Sequence, residues 1–176
     1  MKDLFPEIPT VAGDRIVLKG ITGSDAGAMR AMTENPRVYR YLPTFLFEKK
    51  YDDTHLVIER LYDEGFRESL ILGIYLDGAL AGIAEAYGFR DPIHKISVGY
   101  RLAEEFWGRG IATEALGLLT GYLLKEKGIE IITASTMLEN SASAKVLQKN
   151  GFCLVAHDVG EDWGYEKPTA ADKWIL

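Results

Sequence analysis

From Glu105 to Ala115 the chain reads EFWGRGIATEA. Before it lies a strand-like run, Ile96 to Leu102 (ISVGYRL), and it opens directly into an amphipathic segment from Ile111 to Lys127. Strand, glycine-bearing turn, then helix is a geometry that offers backbone N–H groups to an anion. The first amides of a helix have no internal partner, and the helix dipole leaves partial positive charge there. Gly108 and Gly110 carry no Cβ to hold a phosphate off the backbone, and Arg109 between them adds a formal charge. The stretch predicts a pyrophosphate cradle. It is not a P-loop, since no Gly-Lys-Ser/Thr closes it, and Thr113 stands where the dinucleotide fingerprint has its last glycine. Gly-x-Gly alone would equally shape a tight turn; the flanking strand and helix favour the anion site.

Working outward, Lys95 to Leu102 is a strand with Ile96, Val98, Tyr100 and Leu102 on one face. Upstream, Asp77-Gly78 is a two-residue hairpin signal, because both turn positions require positive φ. It joins strands over 69–76 and 79–87, and with 95–102 they form an antiparallel meander. Arg15 to Lys19 is a first strand. Ser24 and Asp25 cap a helix that runs to Glu34 and stops before Asn35-Pro36. A second helix fits Asp52 to Phe66 by its apolar spacing. Downstream, Gly128 ends the helix begun at Ile111. A strand over 129–136, a short helix over 142–149 stopped by Asn150-Gly151, and strands over 152–159 and 171–176 complete the order. With no repeat or linker, one α/β domain spans 1–176, as an N-terminal arm over 1–14 and a core over 15–176.

Composition narrows the function classes. A chain of 176 residues, 47% hydrophobic and 26% charged, is an ordinary globular domain with a sizeable core. Its apolar runs are too short to span a bilayer, and MKDLFPEIPT has no signal-peptide core. A single cysteine, Cys153, excludes an internal disulfide and places the chain in a reducing cytoplasm; its apolar strand predicts a buried structural thiol. A net charge of −6 disfavours nucleic acid and is compatible with a cationic substrate. His55, His94 and His157 are scattered, with no metal-ligand spacing.

Taken together, Gly99-Tyr100-Arg101-Leu102, the run Phe106 to Ala115, Asn140-Ser-Ala-Ser143 and Asn150-Gly151-Phe152 resemble the GCN5-related N-acetyltransferase (GNAT) superfamily. The branch is the one that acetylates N-terminal amines of ribosomal proteins. The motifs cover residues 99–152, and the order of elements over 15–176 matches the fold. The resemblance implies a mixed, mostly antiparallel sheet of about seven strands with helices on both faces, splayed between the fourth and fifth strands. It implies acetyl-CoA as donor and direct transfer to a primary amine in a ternary complex.

Each motif then acquires a job by resemblance. The family pattern Arg/Gln-x-x-Gly-x-Gly/Ala meets Gly110 and Ala112, with Gly108 as an extra glycine. Trp107 fills the Arg/Gln position, a departure usual in this branch, so backbone amides must carry the anion. The coenzyme A loop thus comprises Trp107, Gly108, Arg109, Gly110, Ile111, Ala112 and Thr113. The strand edge at Tyr100, Arg101 and Leu102 would pair with the pantetheine arm, with an amide near Leu102 polarising the thioester carbonyl. Asn140 would hold the same arm, and Ser143 would protonate the leaving sulfur. Glu85, a charge in an apolar strand, is the candidate base.

Plainer readings stand beside these. Tyr100 suits an apolar core face, Asn140 and Ser143 suit a helix start, Glu85 suits a solvent-facing strand position, and Glu114 complements a helix dipole. A non-catalytic acyl-CoA-binding module and an unrelated nucleotide-binding domain are the competing functions. The acceptor is open among a protein N-terminus, a free amino acid or dipeptide, a polyamine and an aminoglycoside. Its wall is expected from 37–47, 87–93 and 160–168, where Asp91, Glu161 and Asp162 would favour a cation. Monomer and homodimer are equally compatible with the sequence.

Overall fold

The computed structural model describes Met1 and residues 4–176; Lys2 and Asp3 of the expected arm lie outside the described residues. One continuous sheet organises the chain. Its strands are β1 (Val11–Ala12), β2 (Ile16–Lys19), β3 (Ser69–Leu76), β4 (Ala79–Arg90), β5 (Lys95–Leu102), β6 (Ile131–Met137), β7 (Cys153–Glu161) and β8 (Thr169–Ile175). They lie in the order β1-β2-β3-β4-β5-β6-β8-β7. Every neighbouring pair is antiparallel except β5 and β6. The meander β3-β4-β5 turns at Asp77 and Gly78, both with positive φ, as their sequence requires.

Among the described residues, five helices cover the two faces: α1 (Ala26–Glu34), α2 (Pro36–Tyr39), α3 (Thr54–Leu61), α4 (Ile111–Glu126) and α5 (Ser141–Lys149). Alternate residues of the strands feed opposite cores. Leu70, Leu72, Ile74, Ile96 and Val98 pack with α4 and α5 through Ile111, Leu119 and Leu147. Ile71, Tyr75 and Ile83 pack with α1 and α3 through Met29, Val57 and Leu61. The arm is tied down by Phe5, fully buried and stacked on Tyr122 at 6.2 Å.

The structure amends several boundaries. The sheet has eight strands rather than about seven, because the arm adds Val11–Ala12 to the edge of β2. The helix expected over 52–66 stops at Leu61, where Asp63-Glu64-Gly65 breaks the apolar period before a 3-10 turn over Gly65–Arg67. Strands β4 and β7 run on to Arg90 and Glu161, beyond their expected ends. Pro36, expected only to stop α1, also opens α2, where its fixed φ suits a first helical position. Cys153 is exposed, against the expected burial. It opens β7, an outermost strand whose Leu154 and Val155 are likewise exposed, so no layer covers it.

Candidate active site

The splay follows from the one parallel pair. Strands β5 and β6 are in register only over Lys95–Ser97 and Ile131–Thr133, closed by a 2.9 Å hydrogen bond between the Ser97 and Thr133 hydroxyls. Beyond that clamp they part, while β6 continues to Met137 against β8. The Ala103 amide donates to the Ala81 carbonyl at 2.9 Å. By the alternation of an antiparallel ladder, Arg101 spends its backbone on β4, whereas the amides of Tyr100 and Leu102 face the gap. The Leu102 carbonyl already accepts from Trp107 Nε1 at 2.9 Å, which fixes that indole beside the strand end.

After β5 the chain makes a 3-10 turn over Glu104–Phe106 and then the glycine loop. Gly108 and Gly110 take φ of 70° and 76°, the left-handed region that other residues avoid. A Cβ at Gly108 would meet nothing within 4 Å, so the loop backbone is open to an approaching group. The first bond of α4 runs from the Glu114 amide to the Gly110 carbonyl, so the amides of Ile111, Ala112 and Thr113 have no partner in the helix. Arg15 Nη1 donates to the Arg109 carbonyl at 3.1 Å and steadies the loop from behind. Glu114, assigned from sequence to the helix dipole alone, also accepts from the Arg15 and Ile16 amides at 2.9 and 3.3 Å and from Arg15 Nε at 2.8 Å.

On the other wall, α5 starts at Asn140, whose Oδ1 accepts from the Ser143 amide at 3.2 Å. The Tyr100 hydroxyl donates to Ser143 Oγ at 3.3 Å across the gap. Burial raises the Tyr100 pKa against the smaller effect of Ser143, so this hydroxyl stays a donor.

A cleft of about 960 Å³ runs through the gap and joins these groups to the opposite face. Tyr100, Ala134, Asn140 and Ser143 line one end, and Tyr41, Phe45, Glu85, Tyr87 and Trp163 line the other. The stretches 37–47, 87–93 and 160–168, expected from the sequence as the acceptor wall, do contribute to this lining, but what lies beneath them was missed. Arg101 is 4% exposed and donates from Nη1 to Glu85 Oε2 at 2.7 Å and from Nη2 to Glu48 Oε2 at 2.6 Å. Burial works against the guanidinium's charge, but the two carboxylates outweigh it and raise its pKa. Glu85 is therefore neither solvent-facing nor free: it is 8% exposed, with one oxygen held. Glu48 lies in an aromatic-rich stretch with no periodicity to mark it, so only the alternation of Glu85 and Arg101 on facing strands hinted at a buried pair. No metal-binding cluster of His, Cys, Asp or Glu occurs among the described residues.

Residues 15–153 match the model of the acetyltransferase (GNAT) domain. The chain belongs to the GNAT acetyltransferase family. As a GNAT acetyltransferase it is an acyltransferase enzyme with acetyl-CoA as donor. It is 28% identical over 153 residues to the uncharacterized N-acetyltransferase YoaA of Bacillus subtilis (strain 168), covering 85% of this chain and 84% of that one. It is 30% identical over 80 residues to the putative ribosomal N-acetyltransferase YdaF of the same organism, covering 46% of this chain and 44% of that one. Its fold matches the GNAT acetyltransferase from Bacillus anthracis with TM-score 0.80 at 19% identity, over 96% and 98% of the two chains. It also matches Mycobacterium smegmatis RimJ in complex with CoA-disulfide, with TM-score 0.80 at 20% identity over 98% and 88%. Within the family, this GNAT acetyltransferase resembles the ribosomal-protein-acetylating branch. Its own residues fit the donor: an open glycine loop at a helix start, and a strand edge with unpaired amides. No helix among the described residues is long and apolar enough to cross a membrane.

Proposed function

We propose that residues 1–176 act as one domain that acetylates a primary amine, a peptide or protein N-terminus or a small-molecule amine, by direct attack in a ternary complex. The observation that carries this reading is the through-going cleft, which brings the donor side at Tyr100 and Ser143 into one space with the acidic, aromatic side at Glu85.

Acetyl-CoA supplies a thioester whose carbon takes the amine and whose sulfur leaves as a thiolate. The residues of the chain divide the remaining work. Amides of the loop from Trp107 to Thr113 hold the pyrophosphate, with Arg109 adding charge. The edge at Tyr100 and Leu102 aligns the pantetheine arm, while Arg101, expected from the sequence to share in it, gives its backbone to β4 instead, and the Leu102 amide, turned to the gap, stabilises negative charge on the carbonyl oxygen. Asn140 holds the start of α5 in place. Ser143 Oγ accepts from Tyr100, which leaves its own proton for the departing sulfur. Glu85 Oε1, the oxygen not held by Arg101, takes the amine's proton directly or through water.

The test is thiol release from acetyl-CoA with a panel of tetrapeptide amides bearing free N-termini, spermidine and kanamycin. Amine-dependent release with a mass gain of one acetyl group supports the reading. Saturable acetyl-CoA binding with no release on any amine would leave a CoA-binding module instead.

A further inference from the structure

Four side chains from four segments form one buried chain beneath the acceptor end of the cleft. The Tyr39 hydroxyl at the end of α2 donates to Glu48 Oε1 at 2.9 Å. Glu48, in a 3-10 turn over Phe47–Lys49, gives its other oxygen to Arg101, and Arg101 holds Glu85. Glu48, Arg101 and Glu85 are 4%, 4% and 8% exposed, respectively. Two carboxylates share one guanidinium, so the cluster carries one uncompensated negative charge.

Its hydrogen bonds show where that charge is available. Both oxygens of Glu48 are occupied, by Tyr39 and by Arg101. Oε2 of Glu85 is occupied, whereas Oε1 has no hydrogen bond among the described residues, on a side chain that lines the cleft. The lysines lining the same cleft are committed elsewhere: Lys50 to Glu64 at 2.8 Å and Lys49 to the Thr33 carbonyl. Burial and the charge of Glu48 both raise the Tyr39 pKa, which keeps that hydroxyl a donor.

A guanidinium facing one carboxylate prefers to pair with both of its oxygens in a fork. Here it does not: Glu85 meets Nη1 alone, Glu48 draws the guanidinium from the Nη2 side, and the buried Nε has no hydrogen-bond partner among the described residues. From this division of Arg101 we propose that Glu48 is a positioning residue. Acting through Arg101, it keeps Glu85 Oε1 unpaired and the cluster net negative, as a seat for the ammonium of the incoming acceptor. This rests on the amine-acetylating reading above and deepens it. Glu48 selects acceptors that arrive protonated, and it couples the 36–50 wall to the cleft floor.

Glu48→Gln keeps the shape of the side chain, removes the spare charge and leaves only a weaker neutral acceptor for Nη2, so that Arg101 is drawn toward both oxygens of Glu85. The measurement is steady-state kinetics with the panel amine that wild type turns over fastest, varying the acceptor and acetyl-CoA separately, alongside thermal melts. The expected result is an acceptor KM raised at least about tenfold, as loss of a charge-assisted contact implies, with the KM for acetyl-CoA within about twofold. A merely structural Glu48 would lower the active fraction, and so the apparent kcat, without moving the acceptor KM. An unchanged acceptor KM in folded Glu48→Gln overturns the proposal. If that variant does not fold, Glu48→Asp, which keeps the charge but draws the carboxylate back from Arg101 Nη2, is measured instead; a rise in acceptor KM supports the proposal, and an unchanged one overturns it. Wild type that transfers to no amine overturns the underlying reading before any variant is made.

Discussion

The Tyr100 hydroxyl and Ser143 Oγ meet at 3.3 Å across the gap that separates β5 from β6. One belongs to a strand and the other to the first turn of α5, and each has an ordinary structural explanation on its own. Their contact joins the two walls of the gap. Ser143→Ala removes the proposed proton donor while leaving the Asn140 cap, whose acceptor bond uses the Ser143 amide. It is expected to lower kcat by about 10²-fold, the usual worth of a positioned acid, with acetyl-CoA affinity and melting temperature little changed. Tyr100→Phe is expected to lower kcat by less, since Ser143 keeps its own hydroxyl. Single-turnover kinetics with both variants checks the order.

Under the proposed function, the glycine loop is expected to set donor affinity. Gly110 has φ of 76°, and a Cβ there would lie 3.4 Å from Arg15 Nη2. Gly110→Ala is expected to cost about 1–2 kcal/mol from the left-handed backbone alone. Gly110→Trp is expected to abolish acetyl-CoA binding in titration calorimetry while circular dichroism reports an intact fold.

Glu114 ties the start of β2 to the start of α4. Partial burial works to raise its pKa, but the Arg15 amide, the Arg15 guanidinium and the Ile16 amide outweigh it and hold it below the ordinary value. A lowered carboxyl pKa contributes stability that is present above the unfolded value of 4.5 and is lost as pH falls through the folded one. Glu114→Gln is therefore expected to cost about 1 kcal/mol near neutral pH, with the difference from wild type vanishing in acid. Urea unfolding from pH 7 down to about pH 3 tests the trend.

Tyr62 provides the alkaline counterpart. It accepts from the Ile21 amide at 2.7 Å and donates to the Ile71 carbonyl at 3.1 Å. Burial pushes its pKa up to about 12, with the Ile21 amide opposing and Asp25 adding. A raised pKa gives stability that is complete below the unfolded value of 10.0 and is lost as pH rises toward the folded one. Tyr62→Phe is expected to be less stable than wild type at pH 8 and to lose less stability between pH 10 and 12, as denaturant midpoints would show.

Much of the scaffold was legible in the sequence because the signals were local. The spans Ser69–Leu76 and Lys95–Leu102, the Asp77-Gly78 turn, and a helix starting at Ile111 follow from alternation, positive-φ turn chemistry and capping. The glycine loop was visible for the same reason, as a short segment whose backbone geometry depends on its own residues. The burial of Cys153 was misjudged because an apolar run does not reveal whether a strand lies inside the sheet or at its edge; the order β6-β8-β7 decides that.

What only the tertiary structure decided is which distant side chains share a dielectric. Glu48, Glu85 and Arg101 are separated by 53 and 16 residues in pairs with Arg101, and nothing local to any of them announces the others. The pairing of Gly99 with Glu85 and of Arg101 with Ile83 sets two charges on one face of facing strands, and the 47–49 turn lays a third on top. The reason is physical: helices, turns and strands answer to neighbours within a few residues, whereas burying charge requires partners that only long-range packing can bring together.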